Sequence, residues 1–190
     1  MKPHLDLKSL AEFEDTLKGA QTYVEYGCGG STVRAVELGV ENIIVAESDP
    51  IWAYKVQEYV KHILRPHQTI HFETIDFGIV GEWGTPKNPQ REKALAYVES
   101  VWDKLESLGF TPDAVLIDGR FRVACACEVL LRSVENTKVM FDDAFRNQYS
   151  PFMDHVDEYR RLGRMMAFRT SNVNAQSVID CRERHILSVI

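Results

Sequence analysis

Apolar residues recur along the chain at two different periods, and the two periods take turns. In "SLAEFEDTLKG", Leu10, Phe13 and Leu17 stand three and four apart, the spacing of an amphipathic helix that Gly19 closes. "TYVEY" is a short run of strand type leading into a glycine turn. "STVRAVELG" then reads as a helix with Ser31 or Thr32 near its N-cap and Gly39 past its end. "ENIIVAES" predicts a second buried strand, followed by the helix "DPIWAYKVQEYVKHIL", with Pro50 in its first turn and Trp52, Val56, Tyr59 and Ile63 as its apolar stripe. "QTIHFETID" is a third strand. A Gly- and Pro-rich loop over 77–90 separates it from the helix "REKALAYVESVWDKLESLG". Strand "PDAVLID", helix "RVACACEVLLRSV", strand "TKVMFDD" and helix "PFMDHVDEYRRLG" follow. The closing "GRMMAFRTS" and "HILSVI" predict two more strands, an antiparallel pair at one edge, around an unassigned "NVNAQSVIDCRER".

Strands alternating with helices of this length define an α/β fold, a doubly wound and mostly parallel sheet with helices on both faces. At 190 residues and 45% hydrophobic content, residues 1–190 fit one domain with its own core, the leading helix within 1–19 covering a sheet edge or face. The net charge of −6 disfavours sequence-independent attraction to nucleic acid or anionic membranes, and "RRLGR" and "CRERH" read as solvated faces. No apolar window has the length of a membrane helix, and "MKPHLDLKSL" lacks a secretory core, so a cytoplasmic protein without a membrane partner is expected. Cys28, Cys125, Cys127 and Cys181 are too irregularly spaced for a disulfide framework or a paired zinc site, and reduced thiols are expected.

In open sheets of this kind ligands bind beyond the carboxyl ends of the strands, and here every predicted strand end carries an acid. The first runs through Glu25, Tyr26, Gly27, Cys28 and Gly29 to Ser31 and Thr32, the second ends on Glu47 and Ser48, and the third on Asp76 and Phe77. The fourth ends on Asp118 and the fifth on Asp142 and Asp143. Gly27 and Gly29 permit a tight turn and a close approach of main chain to ligand, and the following helix offers unpaired amides to an anion. The G-x-G-x-x-G of dinucleotide folds is broken by Thr32. A carboxylate such as Glu25 at a buried strand end requires a cation or a hydrogen-bond donor. It would repel a pyrophosphate and attract an ammonium group. S-adenosylmethionine carries an ammonium and a sulfonium, and its carboxylate suits the helix amides. Glu47, 18 residues beyond Gly29, has the spacing of an acid that accepts hydrogen bonds from ribose hydroxyls, and Asp76 with Phe77 is placed for an adenine ring.

The succession "VEYGCGGST", "VAESDP", "ETIDF", "VLIDG" and "VMFDD" resembles the class I S-adenosylmethionine-dependent methyltransferases, in the right order over roughly residues 20 to 145. The resemblance implies a seven-stranded sheet with one strand reversed near its edge. It implies S-adenosylmethionine as cofactor, with Glu25, Gly27 and Gly29 around the methionine part, Glu47 at the ribose, and Asp76 and Phe77 at the adenine. The third glycine common in the family is absent at Ser31, and Gly30 stands one place early.

Methyl transfer from a sulfonium needs alignment, exclusion of water and, for a hydroxyl acceptor, removal of a proton. Asp118 is the foremost candidate for that role, with Asp142 and Asp143 next. The three acids also resemble the set by which metal-dependent O-methyltransferases hold a hard cation. The favoured reading is that they cap strand ends or pair with Arg120 and Arg122, and no metal is assigned. Arg120 and Arg122 have the planar forks to grip an acidic substrate, and Arg146 and Tyr149 follow the fifth strand at the same opening. Trp83, between glycines in the loop, is expected to fold over a bound ligand, whereas Trp52 and Trp102 are expected in the core. The expected activity is methylation of a small molecule, at oxygen ahead of nitrogen. The rivals are a nicotinamide-dependent oxidoreductase and a non-catalytic S-adenosylmethionine-binding module. A domain this lean leaves room for a second copy to complete the acceptor pocket.

Overall fold

A computed structural model describes residues 1–189. Its seven-stranded sheet has the order β3-β2-β1-β4-β5-β7-β6. The strands are β1 (Thr22–Tyr26), β2 (Asn42–Glu47), β3 (Thr69–Thr74), β4 (Ala114–Ile117), β5 (Lys138–Phe141), β6 (Tyr159–Leu162) and β7 (Met165–Arg169). The first five pair in parallel, and β7 runs antiparallel to both β5 and β6. β1 and β4 are buried along their whole length, which is why β4 reads as an unbroken apolar run, while β1 buries Glu25 among its apolar residues. Helices α1 (Leu7–Leu17), α2 (Gly30–Leu38) and α3 (Pro50–Lys61) cover one face, where Phe13, Val36 and Val56 pack with Tyr23 and Ile43. Helices α4 (Arg91–Leu108), α5 (Arg122–Arg132) and α7 (Ala175–His185) cover the other, where Trp102, Val129 and Val178 pack with Val24 and Ile44.

The C-terminal quarter departs from the sequence expectation. "PFMDHVDEYRRLG", predicted as one helix, forms only the short α6 (Ser150–Met153) before Tyr159–Leu162 becomes the edge strand β6. Leu162 pairs with Met165 across a two-residue turn in which Gly163 has φ 64°, so β6 and β7 form a tight hairpin. Apolar residues in so short a run fit either period, and pairing with β7 decides for the strand. Its two central arginines, exposed, blunt the open edge. "HILSVI" is not a strand either: His185 ends α7, Ile186 packs into the core, and Ile190 lies outside the described residues. Asn174 caps α7 by accepting the Ser177 amide, and Arg182, Arg184 and His185 in its last turn suit the helix dipole. None of the described helices is long and apolar enough to cross a membrane.

Candidate functional site

The sheet reverses its order between β1 and β4, and at that point the turns after the two strands press together. Gly27 has φ 90°, and a Cβ there would stand 2.6 Å from Gly119 Cα, so only glycine lets the β1 turn lie on the β4 turn. Beyond these turns opens a cleft of about 820 Å³ whose wall includes Gly27, Cys28, Gly29, Ser31, Glu47 and Ser48 on one side and Asp118, Asp142 and Asp143 on the other. A second cavity, about 680 Å³, lies at the opposite end of β5 and β7 among Lys138, Arg169 and Tyr159, away from every predicted site residue.

The glycine turn is pinned from beneath. Glu25 is fully buried, and its carboxyl accepts hydrogen bonds from the Ser31 hydroxyl and, at 2.6 Å, from Thr32 Oγ1, which in turn accepts the Gly29 amide at 2.9 Å. Burial, opposed by these two hydroxyls, pushes the Glu25 carboxyl up to about 8. Glu25 is therefore not an open carboxylate on the cleft wall, and both its oxygens hold the first turn of α2. Glu47 is the acid that faces the turn. Its Oε2 accepts the Cys28 amide at 2.9 Å, and its Oε1 takes the Ser48 and Asp49 amides at 2.7 and 3.0 Å.

Three expected cofactor contacts fall elsewhere. The Tyr26 side chain points into the core, where its hydroxyl donates to Val98 O at 2.6 Å and accepts from Trp102 Nε1 at 2.8 Å. Phe77 packs between Tyr97 and Phe121. Asp76 is exposed and caps its own turn by accepting the Gly78 amide at 2.7 Å. Two residues arrive that the sequence reading put elsewhere. Trp52, expected in the core, is 38% exposed on the cleft wall and donates from Nε1 to Cys28 O at 2.8 Å. Its place two residues past the first helical proline, beside the Glu47 strand end, was the available signal. Arg164, read as part of a solvated basic face, reaches from the β6–β7 turn to Asp142, with Nε and Nη2 at 3.0 and 2.9 Å from the two carboxylate oxygens.

The acceptor side is a lattice of arginines and acids. Arg122, 5% exposed, donates to the Gly119, Asp142 and Asp118 carbonyls and to Asp118 Oδ1 at 2.9 Å, tying the ends of β4 and β5 together. Asp143, at φ 56°, pairs with Arg146 at 2.5 Å. Guanidinium groups thus engage all three acids that a hard cation would have used. Burial raises the Asp118 carboxyl to about 6, Arg122 pulling it down and Asp142 pushing it up. With a side chain 26% exposed, against 1% for Asp142 and 15% for Asp143, Asp118 is the most accessible of the three.

Two segments roof the cleft. In the 77–90 loop Val80 bridges to Pro86, the Gly84 carbonyl accepts from Ser48 Oγ at 2.9 Å, and Trp83, at φ 59°, stands 73% exposed over the opening. From the other side comes the stretch before α1. Its Lys2 carbonyl lies so close to Gly30 that any Cβ there would overlap it. The His4 ring lies 5.2 Å from that of Trp83, and the His4 carbonyl accepts from Arg164. Asp6 fixes the segment by accepting the Lys8, Ser9 and Arg164 amides, which hold its carboxyl down at about 2.

No protein-family model and no curated protein sequence matches the chain. Solved structures do match. The chain is similar over 98% of its length to a methyltransferase-like protein from Silicibacter pomeroyi, with a TM-score of 0.86, 26% identity and 97% of that chain covered. It is similar in fold to CalS11, a TDP-rhamnose 3'-O-methyltransferase of calicheamicin biosynthesis, with a TM-score of 0.52 and 13% identity over 87% of this chain and 78% of that one. The fold is that of the class I methyltransferases, as the motif succession implied. S-adenosylmethionine is the cofactor which that fold implies, and the cleft fits it at one end: the glycine turn, Glu47 and the Trp52 indole line a single wall.

Proposed function

We propose that the protein is an S-adenosylmethionine-dependent methyltransferase whose acceptor is a small molecule methylated at oxygen. The supporting observation is the packing of the Asp118–Gly119 turn on Gly27, which puts an accessible carboxyl, poised at about 6, in the same cleft as the glycine turn. Bound S-adenosylmethionine supplies an electrophilic methyl group. The chain supplies the rest. Glu47 and the first turn of α2 hold the ribose and methionine parts, with Glu25 as the positioning residue behind that turn. Asp118 accepts the proton of the acceptor hydroxyl on the oxygen that Arg122 leaves free, and its carboxyl is ionised above pH 6, as a base near neutrality must be. Arg122 keeps that carboxylate aimed, and Trp83 with His4 excludes water.

The test follows release of S-adenosylhomocysteine with a panel of hydroxyl-bearing small molecules. Asp118→Asn should lower kcat by about 10²- to 10⁴-fold while leaving KM within a few fold, and the acid limb of the wild-type pH profile near 6 should disappear with it. Calorimetric binding of S-adenosylhomocysteine without turnover on any acceptor would instead favour a non-catalytic binding module. Tighter binding of NADH than of S-adenosylhomocysteine would overturn the cofactor assignment.

A further inference from the structure

Four arginines line the cleft, and they differ in what they hold. Arg122, Arg146 and Arg164 each have a carboxylate oxygen within 3 Å, at 2.9, 2.5 and 2.9 Å. Arg120 has none within the 4.0 Å that marks an ion pair among the described residues. Its one side-chain hydrogen bond among the described residues is Nη1 donating to Thr85 Oγ1 at 3.2 Å, and Thr85 is in the 77–90 loop. Its Nε is buried without a partner. The turn that carries it is fixed, because the Arg120 amide donates to Tyr97 Oη at 3.3 Å and its carbonyl accepts from Cys125 Sγ at 3.3 Å.

A guanidinium withdrawn from water without a counter-charge is costly, so a neutral side chain in its place relieves that cost. Of the acids nearby, Asp142 and Asp143 are taken up by the other three arginines, and Asp118, held at one oxygen by Arg122, lies beyond ion-pair distance of Arg120. Arg120 therefore lines the cleft beside Asp118 with the donors that Thr85 does not take left unpaired, and only Gly119 separates it from Asp118 in sequence. We propose that Arg120 anchors an anionic group, a carboxylate or a phosphate, on the molecule that accepts the methyl group. This rests on the methyltransferase reading above and narrows its substrate to an acid that also bears a hydroxyl. The cofactor has a carboxylate of its own, but the first turn of α2 beside Gly29 offers amides for it, whereas Arg120 bonds the loop at Thr85. Bidentate pairing of a planar guanidinium with carboxylate or phosphate oxygens is the strongest contact such a group can make.

The test titrates inorganic phosphate and malonate into the full chain, with and without saturating S-adenosylhomocysteine, following amide shifts by NMR. Wild type should bind both anions saturably. Arg120→Gln should weaken them about tenfold or more, and Arg120→Lys should keep part of the affinity. S-adenosylhomocysteine should bind Arg120→Gln within twofold of wild type, and its melting temperature should be no lower than wild type, which a structural arginine would not allow. Equal anion affinity in wild type and Arg120→Gln, or no saturable binding in wild type, overturns the proposal. So does a variant that loses S-adenosylhomocysteine but keeps methylthioadenosine, which lacks the carboxylate, since Arg120 would then serve the cofactor. Wild type that fails to bind S-adenosylhomocysteine sinks the methyltransferase reading instead, and the anion titration without it still reads Arg120. Should Arg120→Gln fail to fold, Arg120→Lys carries the comparison, and undiminished anion affinity in it counts against the proposal.

Discussion

At the scale of single residues, Glu25 shows how burial changes what an acid does. A carboxyl at the end of β1 looks like the partner of a cation, yet two hydroxyls from α2 close over it and burial raises it to about 8. Between its unfolded value of 4.5 and about 8 the folded chain holds a proton that the unfolded chain has lost, so stability falls as pH rises through that window. The slope is at most about 1.4 kcal/mol per pH unit, or roughly 4 °C for a chain of this size. Glu25→Gln keeps a donor and an acceptor for Ser31 and Thr32 and has nothing to titrate. Melting temperatures recorded from pH 5 to 8 should decline for wild type and stay flatter for the variant. A wild-type curve as flat as that of the variant would show that Glu25 is ionised throughout.

Among elements, the loop and the hairpin had opposite fates in the sequence. The 77–90 loop was legible as a loop because Gly81, Gly84 and Pro86 break both helix and strand, and Trp83 stood out as an indole without a stripe to join. Its exposure over the cleft, touching His4 alone among rings, fits a covering role. Trp83→Ala should therefore shift the melting temperature by only about 1–2 °C. It should weaken S-adenosylhomocysteine or acceptor roughly threefold to tenfold, as measured by calorimetry. A large loss of stability with unchanged affinity would make Trp83 a packing residue. Of the β6–β7 hairpin only β7 was legible, within "GRMMAFRTS", because "YRRL" has no apolar pattern until it pairs with Met165–Phe168. Its turn nevertheless delivers Arg164 to Asp142, so the misread element carries part of the site.

For the whole molecule, the cleft exists because two halves of the sheet meet where Gly27 lies on Gly119. A ligand bound there should stabilise the fold as one unit. S-adenosylhomocysteine at a hundred times its Kd should add about 2.7 kcal/mol and raise the melting temperature by roughly 5–10 °C. Gly27→Ala, forced into a left-handed conformation against backbone, should lower the melting temperature and abolish that rise. A Gly27→Ala variant that shows the full rise would mean that the ligand sits elsewhere.

The order of strands and helices as far as β5, the glycine turn and the acids at the strand ends were written in the chain, because periodicity and turn chemistry act between near neighbours. Which acid stays open, which arginine lacks a partner and which aromatic side chains line the cleft were decided only by folding. Asp142 meets Arg164 from 22 residues away, Glu47 meets Cys28 from 19, and Arg120 meets Thr85 from 35. The charge state of each group depends on those distant partners and on the water they displace, and local sequence does not specify either.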